Sequence, residues 1–202
     1  TGGNSKLSTP QVRYSFAHEL GHFYIYNHRK ELMKNGIMSH SQVGVSSSDN
    51  IYEKEADYFA SCLLLPESRY KPDIANAEFS MGLIFDLCSK YRVSVQAALI
   101  RYISLGPHPI MVVRSIDGKV TERHTRHNDF PYYNLKLKEG GLVPDGTAAG
   151  EMYSLDSKPN HITRRVRASS WFVRAEAEKS EEEFTEMALY YKPLNQVLSV
   201  IW

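Results

Sequence analysis

The sequence has little cysteine, no long apolar run and no excess of charge of either sign. Its two cysteines, Cys62 and Cys88, form no CxxC pair among the 202 residues. Two isolated cysteines do not make a disulfide framework, so we expect reduced thiols in a hydrophobic core. This cysteine usage suits a reducing compartment such as the cytosol, and we therefore expect a cytoplasmic protein.

Membrane insertion and general attraction to nucleic acid are also disfavoured. No apolar stretch approaches the roughly 20 residues that cross a bilayer, and no signal peptide is visible. Lys and Arg total 24 against 23 for Asp and Glu, so the net charge provides no pull toward nucleic acid or anionic membranes. With 42% hydrophobic residues, the chain can bury one good core or two modest ones.

The first half of the chain has the pattern of helices. Thr9 can cap a helix that starts at Pro10, and nothing but Gly21 interrupts this helix up to about Met33. Apolar residues recur in it at steps of three or four and mark one face: Val12, Phe16, Leu20 and Phe23. Further helices are predicted at about 50–65, 79–91 and 95–105, with a polar loop at 36–49.

After residue 107 the pattern changes to strands and turns. Residues 110–113 are apolar and rich in β-branched side chains, and Asp117-Gly118 is a hairpin-turn signal. Residues 128–150 are rich in loop-forming residues, and strands are predicted at 162–174, 184–191 and 196–202. We therefore predict an α+β protein with a helical part followed by a mainly β part.

Residues 18–22, His-Glu-Leu-Gly-His, match the HExxH pattern. Positions i and i+4 of a helix share a face, so His18 and His22 can direct imidazole nitrogens at one metal ion. Glu19 lies about 100° around the helix, where it can accept a proton from a water at the metal. The pattern predicts zinc-dependent hydrolysis with Glu19 as the catalytic base.

A catalytic zinc needs a third protein ligand, for which Glu53 is the favoured candidate. Glu53 and Asp57 share a face of the second predicted helix, so Asp57 could accept a hydrogen bond from a ligating histidine. Glu55 is an alternative ligand to Glu53, but it lies about 200° around the helix and cannot serve together with it. The same carboxylates could also be a solvated acidic helix start.

His28 is a second candidate, because the long motif HExxHxxGxxH has its third histidine ten residues after the first. That motif needs a glycine to turn the chain sharply after the helix, and here the position is Ile25. A β-branched residue resists such a turn. We therefore predict that the helix continues past Ile25 and that His28 points away from His22.

Two stretches of the chain together resemble the ImmA/IrrE family of metallopeptidases. They are RYSFAHELGH at residues 13–22 and EKEADYFASCLLLP at residues 53–66, an HExxH helix followed by an ExEADxFAxxLLxP helix. By position, the resemblance implies one zinc ion on His18, His22 and Glu53. It implies a helical, zincin-like catalytic part with the HExxH helix.

The resemblance divides the chain into three parts. Residues 1–70 correspond to a zinc peptidase core and residues 71–107 to a helical, helix-turn-helix-like region. Residues 108–202 correspond to a mainly β C-terminal domain with a regulatory role. Family members studied as peptidases cleave a helix-turn-helix transcriptional repressor and so act in transcription regulation and stress response. The resemblance thus implies a regulatory endopeptidase with a protein substrate.

Two further expectations accompany this interpretation. The family usually has a strand-containing stretch before the motif helix, whereas only 17 residues precede His18. We expect either that the chain is a fragment or that this edge of its substrate cleft is reduced. The alternative function is a non-proteolytic regulatory protein that contains zinc and binds DNA or a protein partner. The intact Glu19 argues against it, because a structural zinc site needs no base.

Overall fold

The computed structural model describes these parts of the chain: 9–35, 51–126, 130, 140–172 and 181–202. The chain forms two compact units, Thr1–Arg101 and Tyr102–Trp202. The first unit is helical and the second is built on an antiparallel sheet, which confirms the predicted α+β class. The division into three parts at residues 70 and 107 stays a prediction.

Six helices lie in or begin in the described residues of the first unit. They are α1 (Pro10–Tyr24), α2 (Tyr26–Asn35), α3 (Ile51–Leu64), α4 (Glu67–Ile74), α5 (Met81–Tyr91) and α6 (Val95–Leu105). Helix α1 begins as predicted, since the Thr9 hydroxyl accepts a hydrogen bond from the Val12 amide at 3.3 Å. Helix α4 was not predicted, because Pro66 and Pro72 are helix-breaking signals. In the described ranges, no helix has the length and apolarity to cross a membrane.

The prediction that one helix continues past Ile25 is wrong. Helix α1 ends at Tyr24, and Ile25 has extended backbone angles, with φ −74° and ψ 115°. The chain then re-enters a helix at Tyr26. A β-branched residue resists the left-handed turn but suits the β region, so the chain bends at Ile25 by a different route.

The largest fully buried side chains of the first unit lie on α4 to α6 and directly after α3: Leu65, Tyr70, Ile74, Ile84 and Leu99. The buried Tyr70 hydroxyl donates to the carbonyl of Ala98 at 2.8 Å, which satisfies its polar group. Arg13 of α1 donates to the carbonyls of Tyr91 and Arg92, both at 2.9 Å, and so ties α1 to the end of α5.

The second unit contains a five-stranded antiparallel sheet in the order β2-β1-β5-β4-β3. Its elements are β1 (Met111–Ile116), β2 (Lys119–Thr125), α7 (Ala148–Ser154), β3 (His161–Arg167), α8 (Ala168–Trp171), β4 (Glu183–Tyr191) and β5 (Gln196–Ile201). The hairpin turn between β1 and β2 is at Asp117-Gly118, as predicted, and both residues have positive φ. Every residue of the central strand β5 is buried.

Two elements of this unit differ from the sequence prediction. The strand predicted at 162–174 ends at Arg167 and is followed by the short helix α8. Helix α7 begins within the stretch that was predicted as loop, where Thr147 caps it through a hydrogen bond from the Gly150 amide. The predicted loop at 36–49 lies outside the described residues.

A fully buried carboxylate, Glu186 of β4, joins the sheet to α7 and α8. Its oxygens accept hydrogen bonds from the amides of Ala148 and Ala149, at 2.9 and 3.1 Å, and from the indole N–H of Trp171 at 3.1 Å. Burial raises the pKa of the Glu186 carboxyl above its usual range, although these donors act in the opposite direction. Glu186 therefore accepts hydrogen bonds from amides in the first turn of α7, which have no acceptor within the helix.

We expect Glu186→Ala to lower the free energy of unfolding by about 3 kcal/mol or more, because three buried donors lose their acceptor. Denaturant unfolding followed by tryptophan fluorescence measures this, since both tryptophans, Trp171 and Trp202, lie in this unit. The matched control is Glu183→Ala on the same strand, where the exposed carboxylate contacts Arg165 at 3.5 Å. Its loss should stay below about 1 kcal/mol. Equal losses in the two variants would contradict this role of Glu186.

Candidate metal centre

Helices α1 and α3 meet through small residues. The buried residues of α1 are Ala17 and Gly21, and those of α3 are Ala56 and Ala60. A Cβ atom built on Gly21 would lie only 3.0 Å from the Cα of Ala56 and 3.2 Å from its carbonyl oxygen. The two backbones therefore approach closely enough for side chains on both helices to meet at one point.

The sequence predicted an apolar face of α1 from residues spaced three or four apart. This face is not the one that packs on α3. Phe16 and Phe23 are 66% and 58% exposed, and Val12 is 39% exposed. The helix instead uses the side that carries its small residues. Apolar spacing identifies the helix correctly, but the small residues select its contact surface.

His18, His22 and Glu53 come together where α1 faces α3. The Nε2 atoms of the two histidines are 3.0 Å apart. One carboxylate oxygen of Glu53 lies 3.1 Å from Nε2 of His18, and the other lies 3.5 Å from Nε2 of His22. In the described residues these three side chains form a group that could hold a metal ion. Glu55 and His28, the two alternatives for the third position, lie outside this group.

Asp57 lies on the opposite side of the His18 ring from Glu53. Its Oδ1 atom is 2.8 Å from Nδ1 of His18, so the ring donates this N–H to the carboxylate and leaves Nε2 as an acceptor. The hydroxyl of Tyr14 donates to the same oxygen at 3.2 Å. Burial, with the nearby Asp57 charge, raises the pKa of Tyr14, which keeps its proton. Sequence reasoning missed Tyr14, although it stands four residues before His18 on the same helix face.

His28 lies on the other side of His22, contrary to the prediction that it points away. Its Nδ1 atom is 3.1 Å from Nδ1 of His22, and its Nε2 atom is 2.8 Å from a carboxylate oxygen of Glu55. The bend at Ile25 brings α2 back toward α3 and makes these contacts possible. No spacing rule for a straight helix would have found them.

Glu19 follows His18 on α1 and is exposed to solvent. Its charge acts on His22, as does that of Glu53, and both favour the protonated imidazole. Burial has the larger effect and lowers the pKa of His22. The net effect favours the neutral ring, which is the form that ligates metals.

The chemistry of the three grouped side chains fits a divalent metal ion. Imidazole nitrogen and carboxylate oxygen are both zinc ligands, and two His with one Glu is a set found in catalytic zinc sites. Bonds of about 2.0–2.1 Å in a tetrahedron place ligand atoms about 3.3 Å apart. The separations of 3.0, 3.1 and 3.5 Å agree with this value. Atoms with lone pairs at such distances repel unless a cation or a proton lies between them.

A comparison with protein families decides what kind of domain carries this centre. Residues 4–102 match the model of Peptidase M78, the IrrE N-terminal-like domain. Residues 4–102 therefore form a domain of this family. The resemblance to the ImmA/IrrE family is therefore confirmed. The matched segment contains the HExxH helix and the helix that bears Glu53.

A comparison with solved structures finds a match that covers more of the chain than the IrrE-like domain does. A Mycobacterium tuberculosis transcriptional regulator is similar in structure, with a TM-score of 0.55 and 12% sequence identity. The match covers 95% of this chain and 63% of the regulator chain, so this chain spans less than two thirds of its length. At this identity the likeness shows a shared fold. A search of curated proteins gives no match.

The close approach at Gly21 predicts opposite outcomes for two glycine-to-alanine changes. Gly21→Ala should lower the free energy of unfolding by about 1 kcal/mol or more, because the new methyl group overpacks against Ala56. Gly82→Ala on α5 should raise it by about 0.5 kcal/mol, because alanine favours helix and only the Ser80 hydroxyl lies within 4 Å, at 3.6 Å. Urea unfolding followed by circular dichroism measures both. A gain in both variants would contradict the close packing.

Proposed function

We propose that this chain is a zinc-dependent endopeptidase with a regulatory role and a protein substrate. The observation that carries the proposal is the convergence of His18, His22 and Glu53 in a domain of the IrrE-like peptidase family. One zinc ion would be held by these three residues. A set of three protein ligands leaves a fourth position for water or substrate, as in catalytic rather than structural zinc sites.

Each residue of the centre has a distinct task in this proposal. A bound zinc ion supplies Lewis-acid activation of a water molecule and of the scissile carbonyl. Glu19, next to the ligand His18 and exposed to solvent, accepts the proton of the attacking water and returns it to the leaving amine. Asp57 holds the ring of His18 through its Nδ1–H and so keeps Nε2 directed at Glu53.

The substrate we propose is a protein of the transcription machinery, such as a helix-turn-helix repressor. The resemblance to the ImmA/IrrE family supports this class, because members studied as peptidases cleave such repressors. The structural similarity to a transcriptional regulator is consistent with it. A non-proteolytic role for the same centre is the competing function. It would make Glu19 dispensable.

Metal content provides the first test. Wild-type protein should contain close to one zinc per chain by elemental analysis, and Glu53→Ala should lose most of it, because two histidines alone form an incomplete site. Glu19→Gln should retain the metal, since Glu19 is a base and not a ligand. A wild type without near-stoichiometric zinc would overturn the proposed site.

Proteolysis provides the second test, and the substrate does not have to be identified before it. New protein N-termini are compared in cells that produce wild-type protein, Glu19→Gln or Glu78→Gln. Glu78 is an exposed glutamate of the same unit, so its variant is a matched control for loss of one charge. Cleavage products should appear with the wild type and the control and fall by at least about 100-fold with Glu19→Gln. Equal products with Glu19→Gln would refute Glu19 as the base.

A further inference from the structure

The hydrogen bonds around His22 form a chain of three side chains from three helices. Glu55 of α3 contacts Nε2 of His28 on α2, and Nδ1 of His28 contacts Nδ1 of His22 on α1. The Nε2 atom of His22 lies at the other end, toward Glu53 and His18. The chain therefore runs from the surface to the proposed metal position.

For neutral imidazole rings, the direction of every hydrogen bond in this chain follows from its outer end. A carboxylate only accepts hydrogen bonds, so Nε2 of His28 donates to Glu55. A neutral imidazole carries one N–H, so Nδ1 of His28 is an acceptor. Nδ1 of His22 must then be the donor at their 3.1 Å contact, and Nε2 of His22 is left with its lone pair.

The burial of His28 indicates that its contacts with His22 and Glu55 are held in place. The His28 side chain is only 1% exposed, whereas that of Glu55 is 48% exposed. The His28 ring packs edge-on against Tyr52 of α3, with a centroid distance of 5.0 Å. Both its nitrogens have partners, and a buried imidazole held in this way has little freedom to rotate or to exchange tautomers.

We propose that His28 and Glu55 are positioning residues that fix the Nδ1–H tautomer and the ring orientation of His22, so that Nε2 is preset for the metal. This inference rests on the proposed zinc site. It assigns to the His22 side of the centre the role that Asp57 has on the His18 side. With both tautomers fixed, the two Nε2 atoms 3.0 Å apart are both acceptors, and a cation between them relieves their repulsion.

The residues that orient His18 and His22 come from different helices. Asp57 and Glu53 stand four residues apart on α3, so one helix provides both the ligand and the support for His18. The support for His22 comes from α2 and exists only because the chain bends at Ile25. Positioning of His22 therefore depends on the placement of α2, while positioning of His18 does not.

The first experiment measures zinc affinity by competition with a chelator. His28→Leu should weaken zinc binding about 10- to 100-fold, the usual effect of removing a support behind a ligating histidine. His28→Asn should recover part of this loss, because its amide oxygen can replace Nδ1 as the acceptor for His22. Glu55→Ala should also weaken binding, whereas Glu78→Ala, the same change at an exposed glutamate of this unit, should not.

The second experiment observes the tautomer of His22 in metal-free protein by long-range ¹H–¹⁵N correlation spectra. Wild type should show a protonated Nδ1 in His22, and Glu55→Ala should show a mixture of tautomers or the other form. This readout does not require zinc, so it separates the two proposals. A wild type without zinc but with this tautomer would overturn the zinc site and leave the positioning intact.

Two results would overturn the positioning role itself. One is a folded His28→Leu variant that binds zinc as tightly as the wild type. The other is a His22 that carries its proton on Nε2 in the metal-free wild type. If His28→Leu fails to fold, Glu55→Ala decides the matter, because the Glu55 side chain is 48% exposed whereas that of His28 is 1% exposed.

Discussion

The close contact between the backbones of α1 and α3 is the constraint on which the centre depends. Gly21 allows this contact, since a side chain there would collide with the backbone of Ala56. Imidazole and carboxylate side chains are short compared with the usual spacing of about 8–10 Å between helix axes. The packing of α1 on α3 through small residues accompanies a group of two histidines and a glutamate within 3.0–3.5 Å of one another.

The charges around the centre are a second constraint on its structure. The centre combines three histidines with three acidic side chains. Glu53, Glu55 and Asp57 alternate along α3, and each contacts a histidine. Asp57 and Glu55 hold the rings of His18 and His28. Glu53 places its negative charge beside the Nε2 atoms of His18 and His22. With neutral imidazole rings, such a cluster offers a cation both charge and ligand atoms. This arrangement supports a metal site more strongly than the sequence motif alone does.

The sequence predicted the metal-binding group better than it predicted the residues around His22. The grouping of His18, His22 and Glu53 follows from local rules, namely i, i+4 spacing and a resemblance that covers both helices. The position of His28 depends on Ile25, whose β-branched side chain is compatible with a helix or with a bend, so tertiary packing decides. Glu186 shows the same limit, because nothing in a strand sequence reveals that a glutamate will be buried against two helices.

The alternation of acidic residues on α3 has one more consequence, which concerns how the helices find their alignment. Advancing α3 by one residue would turn its surface by about 100° and bring Lys54 or Ala56 toward the histidines. The contacts of all three acidic residues with the histidines would then be lost together, and a lysine would add a positive charge beside the rings. The contacts between the acidic residues of α3 and the histidines of α1 and α2 therefore favour the observed alignment of these helices over one shifted by a residue.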